Sequence, residues 1–419
     1  MSQSTQQGSE SLLDQLLKGP FGKLFLPAIV VQSVLVGGGY ATGRTVVEYG
    51  AQYGRFGAAT AVVIFLGYIA IATAVFEFAR VFKAYDYKTF QKNLNWKLWP
   101  LYDLCFLGIA VLVISVVASA SGNILEQIFG IPYLVGIVGI ISVVGVLTYK
   151  GRRFIEKFKT FGTIALFGSF IAFAALILMN VGSDAVAAIT TAAPASNANA
   201  NLTAAISAGL IYVGYNSSVF STVLFTLDRQ TTRKETVSAG VIAGVFMIIP
   251  FALAYLCVMG FYPNQRVLNA PVPWLVMIRQ TIGPTGVAVF AIVFGWTAIE
   301  TGTGMIHAIL DRVNEDLKQT DNEMFKDGLS SLQSAMLSIV ILSAAVIFSR
   351  VGIIALVAEG YSLMAYGFIA LLVIPLFTIG LYRIANPQWA RSFWDRPQIY
   401  SSGSRSEDKP TEEPQRSTD

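Results

Sequence analysis

Two short stretches of glycine and polar residues interrupt apolar segments of the chain and carry the groups best suited to bind a small polar ligand. They are Gly37-Gly38-Gly39-Tyr40-Ala41-Thr42-Gly43 and Gly214-Tyr215-Asn216-Ser217-Ser218. Adjacent glycines disfavour a regular helix, because glycine loses more backbone entropy on ordering than any other residue. A helix that breaks here leaves backbone carbonyls and amides free to bind a ligand together with the polar side chains. The expected ligand-binding residues are Gly37, Gly38, Gly39, Tyr40, Thr42, Gly214, Tyr215, Asn216 and Ser217.

A carboxylate in the middle of a later apolar segment, Glu300, is the second group that could do chemistry. Charged groups inside a membrane are rare and usually functional. Burial favours the neutral form of a carboxyl group, which suits Glu300 to carrying a proton. Two alternatives stay open, a static ion pair between Glu300 and Arg44, and a carboxylate packed near a water-filled cavity. Arg44 and Glu359 are further coupling or gating candidates.

Ten apolar segments must position these groups. The chain has 419 residues, 54% hydrophobic and 13% charged, against roughly 25% charged residues in an average soluble domain. Most segments reach the ~20 residues that a helix needs to cross the hydrocarbon core. The composition therefore predicts an all-α polytopic membrane protein with ten transmembrane helices. We number the segments as spans 1 to 10: residues 22–43, 56–82, 98–123, 131–149, 160–180, 203–226, 237–261, 284–312, 330–349 and 351–382.

The basic residues favour one orientation of these spans. With the N-terminus in the cytoplasm, only five of the 29 Lys and Arg residues fall outside, namely Arg44, Arg55, Arg266, Arg279 and Arg350. This positive-inside pattern predicts a multi-pass protein of a bacterial cytoplasmic membrane with both termini in the cytoplasm. Aromatic residues near the predicted span ends are expected to anchor the bundle at the membrane interface: Trp96, Trp99, Tyr102, Trp274 and Trp389.

The two interrupted stretches lie at matching positions, in the first span of each group of five. An odd number of spans per half inverts the second half relative to the first, and matching breaks mark the binding site in transporters built this way. We therefore expect a 5+5 inverted repeat with broken helices 1 and 6. The predicted organisation is a cytoplasmic segment 1–21, a transporter domain 22–383 and a disordered cytoplasmic tail 384–419. Within the domain, repeat one (22–180) and repeat two (203–383) are joined by a flexible external linker, 181–202.

The run Gly37–Gly43, with the helix that follows it, and the stretch Tyr212–Asn216 resemble the YkvI-type family of bacterial membrane proteins. That family is similar to the amino acid–polyamine–organocation superfamily, which has the leucine-transporter-like 5+5 fold. The resemblance covers roughly residues 20–383, and Arg44 departs from it, because an uncharged or acidic residue is expected there. It implies that span 8 faces span 1 around a cation site. A sodium ion would then lie near Val36, Gly39, Thr301 and Thr303.

These features predict a secondary active transporter that moves a small polar or zwitterionic, amino-acid-like solute by alternating access, coupled to Na⁺ or H⁺. The alternative is a channel or signalling membrane protein that keeps the fold without coupled transport. An intramembrane enzyme is disfavoured, because the sequence has neither a His-Glu-x-x-His nor a Gly-x-Ser-x-Gly motif and only one histidine. The expected partners are the solute and the lipid bilayer, without nucleic acid and without a cofactor beyond the coupling ion. The sequence leaves the substrate and the oligomeric state open.

Overall fold

The computed structural model describes residues 19–37, 40–150, 152–195, 201–318 and 328–386. Within these ranges the regular secondary structure is entirely helical. The α-helices are Pro20–Leu24, Leu26–Leu35, Arg44–Tyr49, Gly57–Phe82, Tyr87–Asn95, Trp99–Phe129, Tyr133–Lys150, Arg152–Thr191, Leu202–Asn216, Arg233–Met259, Gln265–Leu268, Pro273–Thr281, Pro284–Lys318, Ser331–Ser349, Ile353–Ala355, Tyr361–Phe368 and Leu381–Ala385. Tighter 3₁₀ segments are Tyr40–Thr42, Ala51–Phe56, Trp96–Leu98, Ser217–Thr222 and Leu224–Arg229, and span 10 contains π-helical turns at Leu356–Gly360, Ile369–Val373 and Leu376–Gly380.

The ten predicted spans are present as one bundle of helices. Seven helices of the described chain are long and apolar enough to cross a membrane, and they are spans 2, 3, 5, 7, 8, 9 and 10. The three remaining spans contain shorter helices. Span 4 is Tyr133–Lys150, whereas the first α-helix of span 1 ends at Leu35, just before the first interrupted stretch, and that of span 6 ends at Asn216, inside the second. The predicted all-α polytopic fold with broken helices 1 and 6 is confirmed.

The two breaks have different backbone geometries. In span 1 the helix ends at Leu35, and Gly43 has a φ of 80°, a left-handed conformation that favours glycine, just before the helix Arg44–Tyr49. In span 6 the α-helix ends at Asn216 and continues as 3₁₀ turns to Arg229. Glycine therefore redirects the chain in span 1, while span 6 changes its helical pitch without a sharp turn.

Each half also places a short helix directly after its second span. Tyr87–Asn95 follows span 2 on the side of the bundle where span 1 begins, which we call the N-terminal side. Pro273–Thr281 follows span 7 on the opposite side, which we call the far side. Matching helices on opposite sides are what an inverted repeat produces.

The boundary between the halves differs from the prediction. The helix of span 5 runs from Arg152 to Thr191, so residues 181–191 of the predicted flexible linker are helical. The reason is composition, because this stretch is rich in alanine, the strongest helix former, and its first proline is Pro194. Span 6 then begins with a cap, in which the Asn201 side chain accepts a hydrogen bond from the Ala204 amide at 2.9 Å. Residues 1–18, 196–200 and 387–419 lie outside the described residues.

Spans 2 and 7 pack closely because span 7 carries glycine at the contact. A Cβ atom added at Gly240 would lie 2.7 Å from the Thr73 backbone, and one added at Gly244 would lie 2.9 Å from the Ile69 amide nitrogen. Such distances leave no room for a side chain. The two glycines therefore serve a contact within the chain.

We expect Gly240→Ala to lower the melting temperature of the purified protein. The added methyl group must push spans 2 and 7 apart, and overpacking of this kind costs about 1–3 kcal/mol. Gly182→Ala is the matched control, since a Cβ atom there meets nothing within 4 Å. Thermal unfolding in detergent, followed by tryptophan fluorescence, measures both variants. Equal melting temperatures would contradict the close contact.

Candidate functional site

A cavity of about 550 Å³ lies where the two broken spans meet. Most of its wall is apolar, and the polar groups come mainly from spans 1, 6 and 8. This combination is typical of small-molecule sites, in which a few polar groups orient the ligand. The polar lining residues are Ser33, Tyr40, Thr45, Tyr215, Asn216, Ser218, Thr222, Thr297, Glu300, Thr301 and Tyr361.

Several of the predicted residues come together in this cavity. They are Val36, Gly37, Tyr40, Tyr215, Asn216, Glu300 and Thr301. Spans 1 and 8 are in contact at the break: a Cβ atom added at Gly37 would lie 3.4 Å from the Thr301 hydroxyl oxygen. Asn216 is held in place by its own helix, since its side-chain amide donates to the Tyr212 carbonyl at 2.9 Å.

Other predicted residues do not line the cavity: Thr42, Arg44, Gly214, Ser217, Thr303 and Glu359. The hydroxyls of Thr303 and Ser217 donate back into their own helices, to the Ile299 carbonyl at 2.7 Å and to the Gly214 carbonyl at 2.6 Å. Gly38 and Gly39 lie outside the described residues.

The two remaining charged candidates, Arg44 and Glu359, have other surroundings. Arg44 is 5% exposed and pairs with Glu48 at 2.8 Å on its own helix, while a second guanidinium nitrogen donates to the Leu268 carbonyl at 2.6 Å. The ion pair of Arg44 is therefore with Glu48, one turn away, and the alternative of a static pair with Glu300 is wrong. Glu359 is exposed on a π-helical turn of span 10.

Sequence reasoning missed one whole face of span 8. Besides Glu300 and Thr301, this helix contributes Thr297, Gly304 and Ala308 to the cavity. Their spacing of three and four residues places them on one helix face. The sequence did contain a signal for this face, because small and polar residues recur at this spacing along an otherwise apolar span.

The far side of the cavity is sealed by aromatic packing. The Trp274 ring, on the short helix after span 7, is 2% exposed and meets Phe170 edge-on with the ring centroids 4.9 Å apart. The Tyr40 ring also packs against Phe170, with the ring centroids 6.2 Å apart. Trp274 is therefore not an interfacial anchor as predicted, because its helix folds back into the bundle. Tyr102, fully buried against Phe368, is a second correction of the same kind.

The cavity continues toward the N-terminal side. Its lining extends along spans 1, 6 and 8 to Val30, Phe225 and Ala308, and Phe225 is 63% exposed at this end. Near this mouth the Arg312 guanidinium lies 3.3 Å from the ring centroid of Phe106, a lining residue. The site is therefore open on the N-terminal side and closed on the far side.

Among known proteins, solved structures share the architecture of this chain. No protein-family model and no curated protein matches the chain. The inward-facing structure of Mhp1 is 15% identical, with a TM-score of 0.51 over 88% of this chain and 77% of that one. The chain has the leucine-transporter-like fold. The resemblance to the YkvI-type family stays a prediction, because no family model supports it.

Two other solved transporters are similar to this chain at lower TM-scores. A Na⁺-coupled sialic acid symporter in a substrate-bound, outward-open state is 15% identical over 86% of each chain, with a TM-score of 0.46. The manganese transporter of Eremococcus coleocola, in complex with an aromatic bis-isothiourea compound, is 14% identical over 88% of this chain and 80% of that one, with a TM-score of 0.44.

We expect Trp274→Ala to open the far side of the cavity. A reporter cysteine at Ala41, which lies beneath Trp274 and beside Phe170, should react about tenfold faster with a maleimide reagent added from the far side. An aromatic pair contributes about 0.5–1.5 kcal/mol beyond its buried area, and the upper end of that range is about a tenfold population shift. Cys105 and Cys257, the two native cysteines, are replaced by serine in all variants.

The matched control for this labelling experiment is Trp99→Ala, which removes a tryptophan on the N-terminal side of span 3. It should leave far-side labelling at Ala41→Cys unchanged. If both tryptophan variants labelled at the rate of the parent protein, the far-side seal would not depend on Trp274.

Proposed function

We propose that the chain is a secondary active transporter of a small polar or zwitterionic solute, and that it works by alternating access. The observation that carries the proposal is the cavity of about 550 Å³ between the breaks of spans 1 and 6, open on one side and sealed on the other. A carrier needs such a site at mid-membrane, reachable from one side at a time. A channel would need a path open to both sides.

The chemistry of the lining supports an amino-acid-like solute. The first half-helices Leu26–Leu35 and Leu202–Asn216 end at the breaks, and the carbonyl end of a helix carries partial negative charge. These ends and Glu300 suit an ammonium group. The side-chain amide of Asn216 has a second N–H that can donate to a carboxylate, whereas the Ser218 hydroxyl, which donates to the Tyr215 carbonyl at 3.0 Å, would have to change rotamer to do so.

The contact between spans 1 and 8 supports a proposal of coupling to Na⁺ or H⁺. The backbone carbonyl of Val36 and the Thr301 hydroxyl, which both line the cavity, are oxygen ligands of the kind that a sodium ion prefers, whereas Glu300 is the proton carrier. Gly39, the other predicted sodium ligand on span 1, lies outside the described residues. Thr303, whose hydroxyl donates into its own helix, would have to change rotamer to join the sodium site. A substitution of Thr301 therefore tests sodium coupling, and a substitution of Glu300 tests proton coupling.

Polar contacts support a rigid unit that moves in this cycle. Lys23, at the start of span 1, forms an ion pair with Glu235 of span 7 at 2.8 Å, and the Gln230 side chain donates to the Lys23 carbonyl at 2.8 Å. With the glycine-mediated packing of spans 2 and 7, these contacts tie spans 1, 2 and 7 together. We propose that this unit rocks against spans 3 and 8 to expose the cavity to each side in turn.

The distribution of Lys and Arg supports placing the protein in a bacterial cytoplasmic membrane with both termini in the cytoplasm. The N-terminal side is then cytoplasmic, and the described conformation is inward-open. A symporter would release solute from this conformation.

The first experiment is thermal stabilisation of the purified protein by amino acids, amines and organic acids, each with Na⁺, with K⁺ and at two pH values. A ligand that binds only the folded state raises the melting temperature by mass action. Any hit is then tested for accumulation in proteoliposomes under a sodium or proton gradient. Binding without accumulation would contradict the transporter and favour the channel or signalling alternative.

A further inference from the structure

A second cavity, of about 570 Å³, lies between spans 3, 4 and 8 and shares no lining residue with the solute cavity. Its wall is almost entirely aliphatic and aromatic. The central lining residues are Ile124, Ile128, Val287, Ala291, Ile292 and Gly295. Neither the transport cycle nor the coupling site uses this space.

Small residues on span 8 create this cavity. Ala288, Ala291 and Gly295 follow one another at spacings of three and four, so they share one helix face. A Cβ atom added at Gly295 would meet nothing within 4 Å. The face is therefore a groove in the bundle and not a close helix contact.

The groove opens to the lipid-facing surface of the bundle. Ile292 is 74% exposed and Phe129 is 65% exposed at its rim. Water does not fill an apolar space of this kind, because it finds no hydrogen-bond partners there. In a membrane the molecule that reaches such a surface is a lipid chain.

The length of the groove corresponds to one leaflet. From Pro284, at the far-side start of span 8, to Gly295 the chain advances eleven residues, which is about 16 Å at ~1.5 Å per helical residue. The hydrocarbon core is about 30 Å thick, so one leaflet is about 15 Å. An acyl chain that enters from the far-side surface would therefore fill the groove to the middle of the bilayer.

The far-side end of the groove carries a positive charge. Arg279, in the last turn of the short helix Pro273–Thr281, is exposed and lines the cavity rim. Its guanidinium donates to the Gln127 carbonyl at 3.4 Å, and within the described ranges it forms no ion pair with a carboxylate. A guanidinium at headgroup depth suits a phosphate oxygen.

We propose that this groove is the binding site of one anionic phospholipid, with an acyl chain between spans 3, 4 and 8 and its phosphate at Arg279. The bound lipid supports the far-side seal from behind. Phe294 lines the groove, and its ring centroid lies 5.9 Å from that of Phe290. Phe290 in turn borders the small space beneath Trp274. The lipid site depends only on the membrane-spanning fold, so this proposal does not rest on the proposed transport of a solute.

The test measures lipid retained by the full-length protein after reconstitution into vesicles of phosphatidylglycerol, phosphatidylcholine or an equal mixture, followed by detergent extraction and native mass spectrometry. The wild type should retain one phospholipid and prefer phosphatidylglycerol. Gly295→Leu fills the groove and should reduce retention of both lipids about tenfold, a change of about 1.4 kcal/mol. Arg279→Gln should keep retention but abolish the headgroup preference.

Two matched controls separate the site from general lipid adhesion. Gly168→Leu adds the same side chain at an exposed glycine where a Cβ atom meets nothing within 4 Å, and Arg266→Gln removes an exposed far-side arginine outside the groove. Both should retain lipid like the wild type, and equal melting temperatures across the set verify folding. Unchanged retention in Gly295→Leu would overturn the site. Equal retention of the two lipids by the wild type would overturn the preference for an anionic phospholipid.

Discussion

Gly304→Leu is expected to abolish solute binding while the protein stays folded. Gly304 lines the cavity between the broken spans from span 8, and a Cβ atom built there meets nothing within 4 Å. A leucine side chain therefore extends into the cavity without displacing its walls and takes space that the solute needs. We expect at least about a hundredfold loss of affinity, or roughly 2.7 kcal/mol. The measurement is thermal stabilisation by the solute that emerges from the screen.

The control for this variant is again Gly168→Leu, on the exposed face of span 5. It should bind solute and unfold like the wild type. An unchanged solute affinity in Gly304→Leu would mean that the solute binds elsewhere in the protein. A loss of affinity accompanied by a lower melting temperature would mean only that the variant folds poorly, so Gly304→Ala, with a smaller intrusion and a smaller expected loss, completes the series.

Glu300→Gln is expected to abolish proton-driven accumulation of the solute while solute exchange across the membrane continues. Glutamine has nearly the shape of a protonated glutamate and cannot release a proton. A carrier coupled through Glu300 would then equilibrate the solute and no longer concentrate it. The measurement compares uptake under a pH gradient with counterflow in proteoliposomes that contain solute on both sides.

Glu359→Gln is the matched control, because Glu359 is exposed on span 10 and does not line the cavity. It should accumulate solute normally. Thr301→Val tests the other ion, since it removes a hydroxyl beside the break of span 1 and should weaken sodium dependence. Undiminished pH-driven accumulation in Glu300→Gln would exclude Glu300 as the proton carrier and assign the proton to another group.

The elements of this protein were predictable because they depend on local properties. The length of each apolar segment determines whether it can span the hydrocarbon core, and nine of ten predicted spans coincide closely with helices or their broken halves. The exception is span 5, where alanine-rich residues extend the helix to Thr191 beyond the predicted end at residue 180. The break of span 1 was predictable from Gly37 to Gly43, since glycine acts on its own backbone.

Half of the site was predictable for the same reason. Tyr40, Tyr215 and Asn216 line the cavity because they lie at the breaks themselves. Glu300 and Thr301 line it because a polar group in an apolar span favours the bundle interior over lipid.

The sequence by itself determined the ten-span class, the two breaks and five of the eleven polar residues that line the cavity. Only the tertiary structure decided which helix faces meet: Thr297 and Tyr361 join the cavity, Trp274 turns inward to seal it, and Arg44 donates to the Leu268 carbonyl. The physical reason is the separation along the chain over which each interaction acts. Hydrophobic length and glycine flexibility act within a few residues, whereas a cavity wall or a seal depends on contacts between segments more than a hundred residues apart.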